Sequence, residues 1–252
     1  MSGHTDTAAP ETEATDSAPP AVRFQVQREF HAVPLGMGAD EVTFDAQLRR
    51  FARDYWGADE DLEPLRKLTT AMYAANTENL VEGGAVYNAL GVFPIGGTAD
   101  DSEPPERISR ATVTVSVRDL LNPDPHFTAT GIAEALDKAG DGGEIQLISL
   151  PAGPAVVRVA GSRALWELPG GEAGEEGELE RFFVRIEVWV PFPGEDRLLL
   201  LCLSTADVED LFHYQAVLAD IADTVAFGEA EAPTAGAEAA PASPPPSPFG
   251  SY

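Results

Sequence analysis

Cysteine is almost missing from this chain: Cys202 is the one among 252 residues. No intrachain disulfide can form, which fits a reducing compartment, so a cytoplasmic protein is expected. Basic residues are scarce too. Sixteen Lys and Arg stand against 42 Asp and Glu, a formal charge of −26. Phosphate binding needs a basic footprint, so nucleic acid is excluded as a direct partner. Anionic membrane surfaces are disfavoured for the same reason. No apolar run reaches the length of a membrane span, and no basic stretch followed by an apolar one opens the chain, so no signal peptide is expected. The four histidines, His4, His31, His126 and His213, never recur at helical spacing, which leaves no helical zinc pair. Phosphate-loop, GxGxxG, GxSxG and HExxH patterns are absent. No cofactor and no metal is expected.

The sharpest feature present is Arg197 to Phe227. Leu198 to Leu203 is a six-residue apolar run, preceded by Pro191, Pro193 and Gly194 and followed by Ser204-Thr205. Periodicity cannot assign so short a run, but these flanks make it a strand. Apolar on both faces, it suits the centre of a sheet covered on both sides. Cys202 is boxed by leucines there and reads as an inert core residue rather than a reactive thiol. A helix is expected to start at Ser204 or Thr205, with Asp207, Glu209 and Asp210 in its first turn. Leu211, Tyr214, Leu218, Ile221 and Val225 form one buried stripe.

Residues 1–21 and 229–252 are rich in Ala, Pro, Thr and acids and contain no base. They cannot bury enough surface to offset chain entropy and are expected to be disordered. Residues 22–228 remain as one domain, with 35 acids against 16 bases. They open with a strand over Val22 to Val26 and a connector from His31 to Gly38. Helices are expected at about 43–56, with Leu48, Phe51, Ala52 and Tyr55 inward, and at about 60–80, with Leu62, Leu65, Leu68, Met72 and Ala75 inward. Gly57 and Gly83-Gly84 close them. Strands follow at 85–93 and around Ala111 to Val117, separated by a polar loop at 94–108. A short helix at about 129–138 is capped by Thr128 or Thr130. Strands at 144–150 and 154–160 form a hairpin, 161–179 is a Gly- and Glu-rich loop, and 181–192 is a long alternating strand. Strands grouped apart from helices indicate α+β: a mainly antiparallel sheet of six or seven strands covered by helices, an α-β-α sandwich.

Trp189-Val190-Pro191-Phe192-Pro193-Gly194, the Leu198 to Thr205 strand and its Leu-Ser-Thr exit, the helix ending Ile221-Ala222-Asp223 and the Gly83 to Tyr87 junction resemble uncharacterised actinobacterial proteins. Those are similar to the PsbP / LpqN / Mog-type α-β-α sandwich group. The resemblance implies an accessory or binding protein working through protein contacts, mostly without enzymatic activity. LpqN-like members are exported lipoproteins; this chain shows no lipobox, so that role is not part of the expectation.

Three residues stand out as candidates for a site. Asp124 and His126, in Asn122-Pro-Asp-Pro-His126, sit in a Pro-stiffened loop at a strand end, where an Asp-x-His pair can serve metal binding or acid–base chemistry. The alternative is a plain turn. Trp166, in SRALWELPGG beside Arg163 and the acidic loop, is either a contact anchor or ordinary packing. The expected function is a non-enzymatic, cytoplasmic protein-interaction module. Acidity serves solubility and would steer a basic protein partner. Two other readings remain: an enzyme or small-ligand binder with a cleft near His126, and an acidic inhibitor or immunity-type protein for a basic target.

Overall fold

A computed structural model describes residues 22–96, 105–120, 124–140, 142–168 and 177–228. Both expected disordered ends lie outside the described residues. The elements run β1 (Val22–Arg23), β2 (Phe30–Ala32), α1 (Glu41–Trp56), α2 (Glu63–Glu82), β3 (Ala85–Ile95), β4 (Arg107–Asp119), α3 (Pro125–Ala139), β5 (Glu144–Leu150), β6 (Gly153–Leu168), β7 (Gly177–Pro191), β8 (Arg197–Thr205), α4 (Leu211–Asp223) and β9 (Ala226–Phe227). Seven strands form one antiparallel sheet in the order β2-β3-β4-β8-β7-β6-β5, while β1 pairs separately with β9. The class is α+β, as expected. No helix among the described residues is long and apolar enough to cross a membrane.

The apolar run of β8 takes the central place that its composition predicts. Leu203 lies between Val113 of β4 and Ile186 of β7, and Leu201 between Val115 and Val188. Side chains directly opposite share a face, so these rows form one continuous apolar surface. Helix α4 covers it with Tyr214, Val217, Leu218 and Ile221. The opposite face carries Leu198, Leu200, Cys202 and Ser204 of β8 beside Arg118, Ser116, Thr114 and Thr112 of β4. It takes the other three helices. Phe51 and Tyr55 of α1 pack with Val92 and Leu90 at the β3 end, and Tyr73 of α2 joins that cluster. Helix α3 packs over β5, β6 and β7 at the other end.

Local chemistry sets the α1–α2 hairpin. Asp40 caps α1 by accepting the Thr43 N–H at 2.8 Å, and Gly57 ends it at φ 84°. Arg66 donates to the carbonyls of Gly57 (2.7 Å) and Asp59 (2.8 Å), locking the link between the two helices. Gly84, at φ 81°, turns the chain into β3, and a side chain there would run into the Val117 carbonyl. Leu48, Phe51, Ala52 and Tyr55 are buried as their spacing predicts.

Several expectations are corrected. The opening strand is only Val22–Arg23, and the segment read as a connector from His31 holds most of the edge strand β2. Helix α3 starts at Pro125, capped by Asp124 rather than by Thr128 or Thr130. Strands β6 and β7 extend through much of the region read as a 161–179 loop. Their mutual ladder runs out to Leu168 opposite Gly177, past the point where β8 stops pairing with β7 at Val184. Two strands that satisfy each other's backbone need no apolar pattern there, so the Gly and Glu content concealed them. Helix α4 begins at Leu211, after a single 3₁₀ turn at Val208–Asp210; the acids expected in its first turn precede it and bond elsewhere.

The largest correction is the rotation of α2. The Leu65, Leu68, Met72 stripe is not buried: these side chains are 36%, 56% and 53% exposed, and the buried residues of α2 are Thr69 and Thr77. One residue's rotation, roughly 100°, separates the two stripes. The Trp56 indole N–H decides it by donating to Thr69 Oγ1 at 2.8 Å, since a partly buried N–H needs an acceptor. Tyr73 edge-packs on Phe51 in the same orientation. Leu201→Ala, at a fully buried site, is therefore expected to cost about 2–5 kcal/mol in urea denaturation. Leu68→Ala, despite its place in the stripe, is expected to stay within about 0.5 kcal/mol of wild type.

A candidate binding groove beneath α2

The rotation leaves a leucine-lined wall standing over the middle of the sheet. Leu65, Leu68, Thr69, Met72 and Tyr73 of α2, with Tyr55 and Trp56 of α1, form one side of a groove of about 470 Å³. Leu90, Thr112 and Ser204 supply its floor, with Phe183 and Arg181 of β7 across from α2 and Arg110 at its mouth. A second section of about 330 Å³ continues along α2 through Asn76, Asn79 and Leu80 over Asn88 and Thr114. Met72, Tyr73 and Thr112 line both sections. Its size and its apolar wall with a few polar groups are those of a binding cleft.

Charge inside the groove runs against that of the chain. Arg110 and Arg181 line it, and neither makes an ion pair with a carboxylate among the described residues. The Arg110 guanidinium interacts with the Tyr55 hydroxyl and opposes the upward pull that burial exerts on that phenol. Asp207 is the one acidic side chain among the described lining residues, and it is engaged: Oδ2 accepts the Arg110 backbone N–H at 2.6 Å and the Ser109 hydroxyl at 3.4 Å. Burial also pushes the Tyr73 phenol well above its ordinary range. The groove can thus bind an anion and apolar surface, while its two titratable phenols are held away from proton transfer near neutral pH.

The end of the groove is pinned by the link between β8 and α4. Thr205 Oγ1 donates to the Arg110 carbonyl at 2.7 Å and accepts the Asp207 N–H at 3.0 Å. Next to it, Arg107 grips the buried Asp210 carboxylate with both terminal nitrogens, Nη1 to Oδ2 at 2.6 Å. This fork holds the Asp210 carboxyl below the usual carboxylate range.

Farther along the same face, β7 and β6 carry a buried ion pair, Arg158 Nη1 to Glu187 Oε2 at 3.2 Å. Arg185 stands 3.7 Å from the other Glu187 oxygen. Cys202 lies opposite Glu187 in the ladder. Burial, then the Glu187 charge, raises its thiol pKa; the position does not favour thiolate, in keeping with the inert role expected of it.

The residues singled out from sequence lie elsewhere. Asp124 is the N-cap of α3, its Oδ1 accepting the backbone N–H of His126 (3.0 Å) and Phe127 (3.2 Å). That use of the carboxylate accounts for the Asp-x-His spacing. His126 sits in the first turn of α3 and borders an open depression with Ala129, Thr130, Leu147, Ser149 and Pro154; among the described residues no second titratable side chain lines it. Trp166 falls in β6 opposite Leu179, and its side chain lies outside the described residues. Among the described residues, no group of three or more His, Cys, Asp or Glu is placed to hold a metal.

The groove residues were missed because their signal is tertiary. The Leu65, Leu68, Met72 stripe is visible in sequence, but nothing in it says which way it faces. Arg110 and Arg181 lie 71 positions apart and come to line one groove only through the order β4-β8-β7. In comparisons with known proteins, the chain matches no family model, no curated protein and no solved structure.

The Arg107–Asp210 fork has a pH consequence. A carboxyl whose pKa is depressed on folding adds stability that is present above its unfolded value, near about 3.9. That contribution is lost as the pH falls through the lower folded value. Arg107→Met releases Asp210 and is expected to move the acid-unfolding midpoint to higher pH, as followed by circular dichroism.

Proposed function

We propose that this chain is a non-enzymatic accessory module of the cytoplasm that holds a segment of another protein in the groove beneath α2. The segment would place apolar side chains against Leu65, Leu68 and Met72 and a carboxylate at Arg110 and Arg181. One observation carries this reading: the apolar stripe of α2 faces the groove rather than the core. A helix that turns leucine away from a core leaves its apolar area for something else to cover. The groove has the form that receives an amphipathic segment, with anchors three and four residues apart on one wall.

Other features support it. The groove's phenols are unsuited to proton transfer at neutral pH. The layout resembles a group whose members work through protein contacts. The partner's charge is revised, however. Total acidity points to a basic partner, but the groove itself offers arginine, so the segment it holds is apolar and acidic. The acidic exterior then selects against segments that carry extra acids beyond the groove.

The anionic dye 8-anilinonaphthalene-1-sulfonate, an apolar body with one negative charge, tests the site directly. Wild type is expected to bind it saturably. The double variants L68E/M72E and R110E/R181E, all at partly or fully exposed positions, are expected to weaken binding about tenfold or more with an unchanged circular dichroism spectrum. An acidic amphipathic peptide should displace the dye, and a basic peptide of the same apolar pattern should not. Equal dye binding by the variants, or displacement by the basic peptide alone, would overturn the proposal.

A further inference from the structure

The far edge of the sheet carries a second surface, independent of the groove. Among the described residues β5 has one neighbour, β6, so along its outer side every second residue turns its N–H and C=O away from the sheet. Sheets ordinarily protect such an edge with proline, lysine, a bulge or a very short strand. The opposite edge follows that rule, because β2 has only three residues. Strand β5, Glu-Ile-Gln-Leu-Ile-Ser-Leu, follows none of it. It has seven residues, no proline and no base, and its register with β6 is unbroken. Leu147 at its centre is 56% exposed, and Phe127, in the first turn of the adjacent α3, is 73% exposed.

We propose that β5 pairs antiparallel with β5 of a second copy of this chain, about a two-fold axis through Leu147, joining the two sheets into one. That register centres the pair on Leu147 and keeps the strand's one charged residue away from its own copy. Leu147 meets the second copy's Leu147, Ile145 meets Ser149, Gln146 meets Ile148, and the single charge, Glu144, meets Leu150. The two Glu144 carboxylates are then six residues apart along the ladder, roughly 20 Å. That is more than twice the screening length of about 8 Å at physiological ionic strength. Directly opposed residues in an antiparallel pair share a face, and an axis normal to the sheet keeps faces matched. Leu147 shares its face with Val156 of β6 and Trp189 of β7, the side on which α3 packs. Both α3 helices therefore stand on one side of the joined sheet. Both grooves stay accessible, since β8 is separated from β5 by β7 and β6.

Sedimentation velocity of the full chain over a concentration series is expected to show a species of twice 26.7 kDa. Its population should rise with salt, because each copy carries −26. Leu147→Lys sets two like charges face to face on the axis and is expected to weaken association roughly tenfold or more. The exposure of Leu147 leaves the fold intact in that variant. Register is read by cross-linking in a Cys202→Ser background. Directly opposed Cα atoms lie about 4.5–5.5 Å apart, within disulfide reach. L147C should therefore form an intermolecular disulfide under diamide, while S149C, about 13 Å from its counterpart, should not. A wild type that is monomeric at every concentration and salt would overturn the proposal. So would a dimer indifferent to Leu147→Lys, or cross-linking at S149C as efficient as at L147C.

Discussion

Burial of the leucine row of β8 is the constraint from which the rest of this structure follows. Leu199, Leu201 and Leu203 are fully enclosed between β4 and β7 and beneath α4. Each buried leucine contributes on the order of 1.5–3 kcal/mol, and no other strand offers so dense a run. The row forces β8 to the middle of the sheet and commits α4 to one face. The other face is left to three helices that attach near its two ends. The groove is the space that this division of labour leaves between α2 and the strands β4, β8 and β7.

The less apolar face explains why that space is not closed by packing. Beside Leu198 and Leu200 it bears Thr112, Thr114, Ser204, Arg110, Arg185, Glu187 and Cys202, and is more polar than the face that α4 covers. It also carries the buried Arg158–Glu187 pair of β6 and β7. Such pairs are weak sources of net stability, because desolvation offsets the attraction, but leaving either charge alone would be costly. The pair thus constrains the register of β6 on β7 more than it strengthens the fold. On the opposite side of the groove, the Trp56–Thr69 hydrogen bond selects which stripe of α2 faces inward. One donor that needs an acceptor accounts for the exposure of Leu65, Leu68 and Met72.

Elements whose own composition sets their burial were legible. The strand over Ala111 to Val117, the inner face of α1 and the stripe of α4 lie where their periodicity puts them, and the apolar β8 lies where its composition and flanks put it. Those decided by a partner were not. The N-cap of α3 falls to Asp124 because a carboxylate at the Pro-Asp-Pro turn can reach two backbone N–H groups, and the more central threonines cannot compete. The outer half of the β6–β7 ribbon is invisible because mutual hydrogen bonding, not apolar alternation, sustains it. For the site the gap is wider. Asp124 and His126 drew notice as chemically distinctive residues in a stiff loop, but the carboxylate caps the helix and, among the described residues, the imidazole has no titratable neighbour in its depression.

From sequence alone follow the α+β class, the central strand, the acidic character, the lack of disulfides and the absence of recognisable catalytic motifs, since each depends on composition or on period along one element. Tertiary structure alone decided the rotation of α2, the placing of Arg110 and Arg181 along one groove and, among the described residues, the outermost position of β5. The physical reason is the same in all three. A period shows that a face exists, but which face is buried, what stands opposite it and which strand lies outermost depend on contacts between residues far apart in the chain.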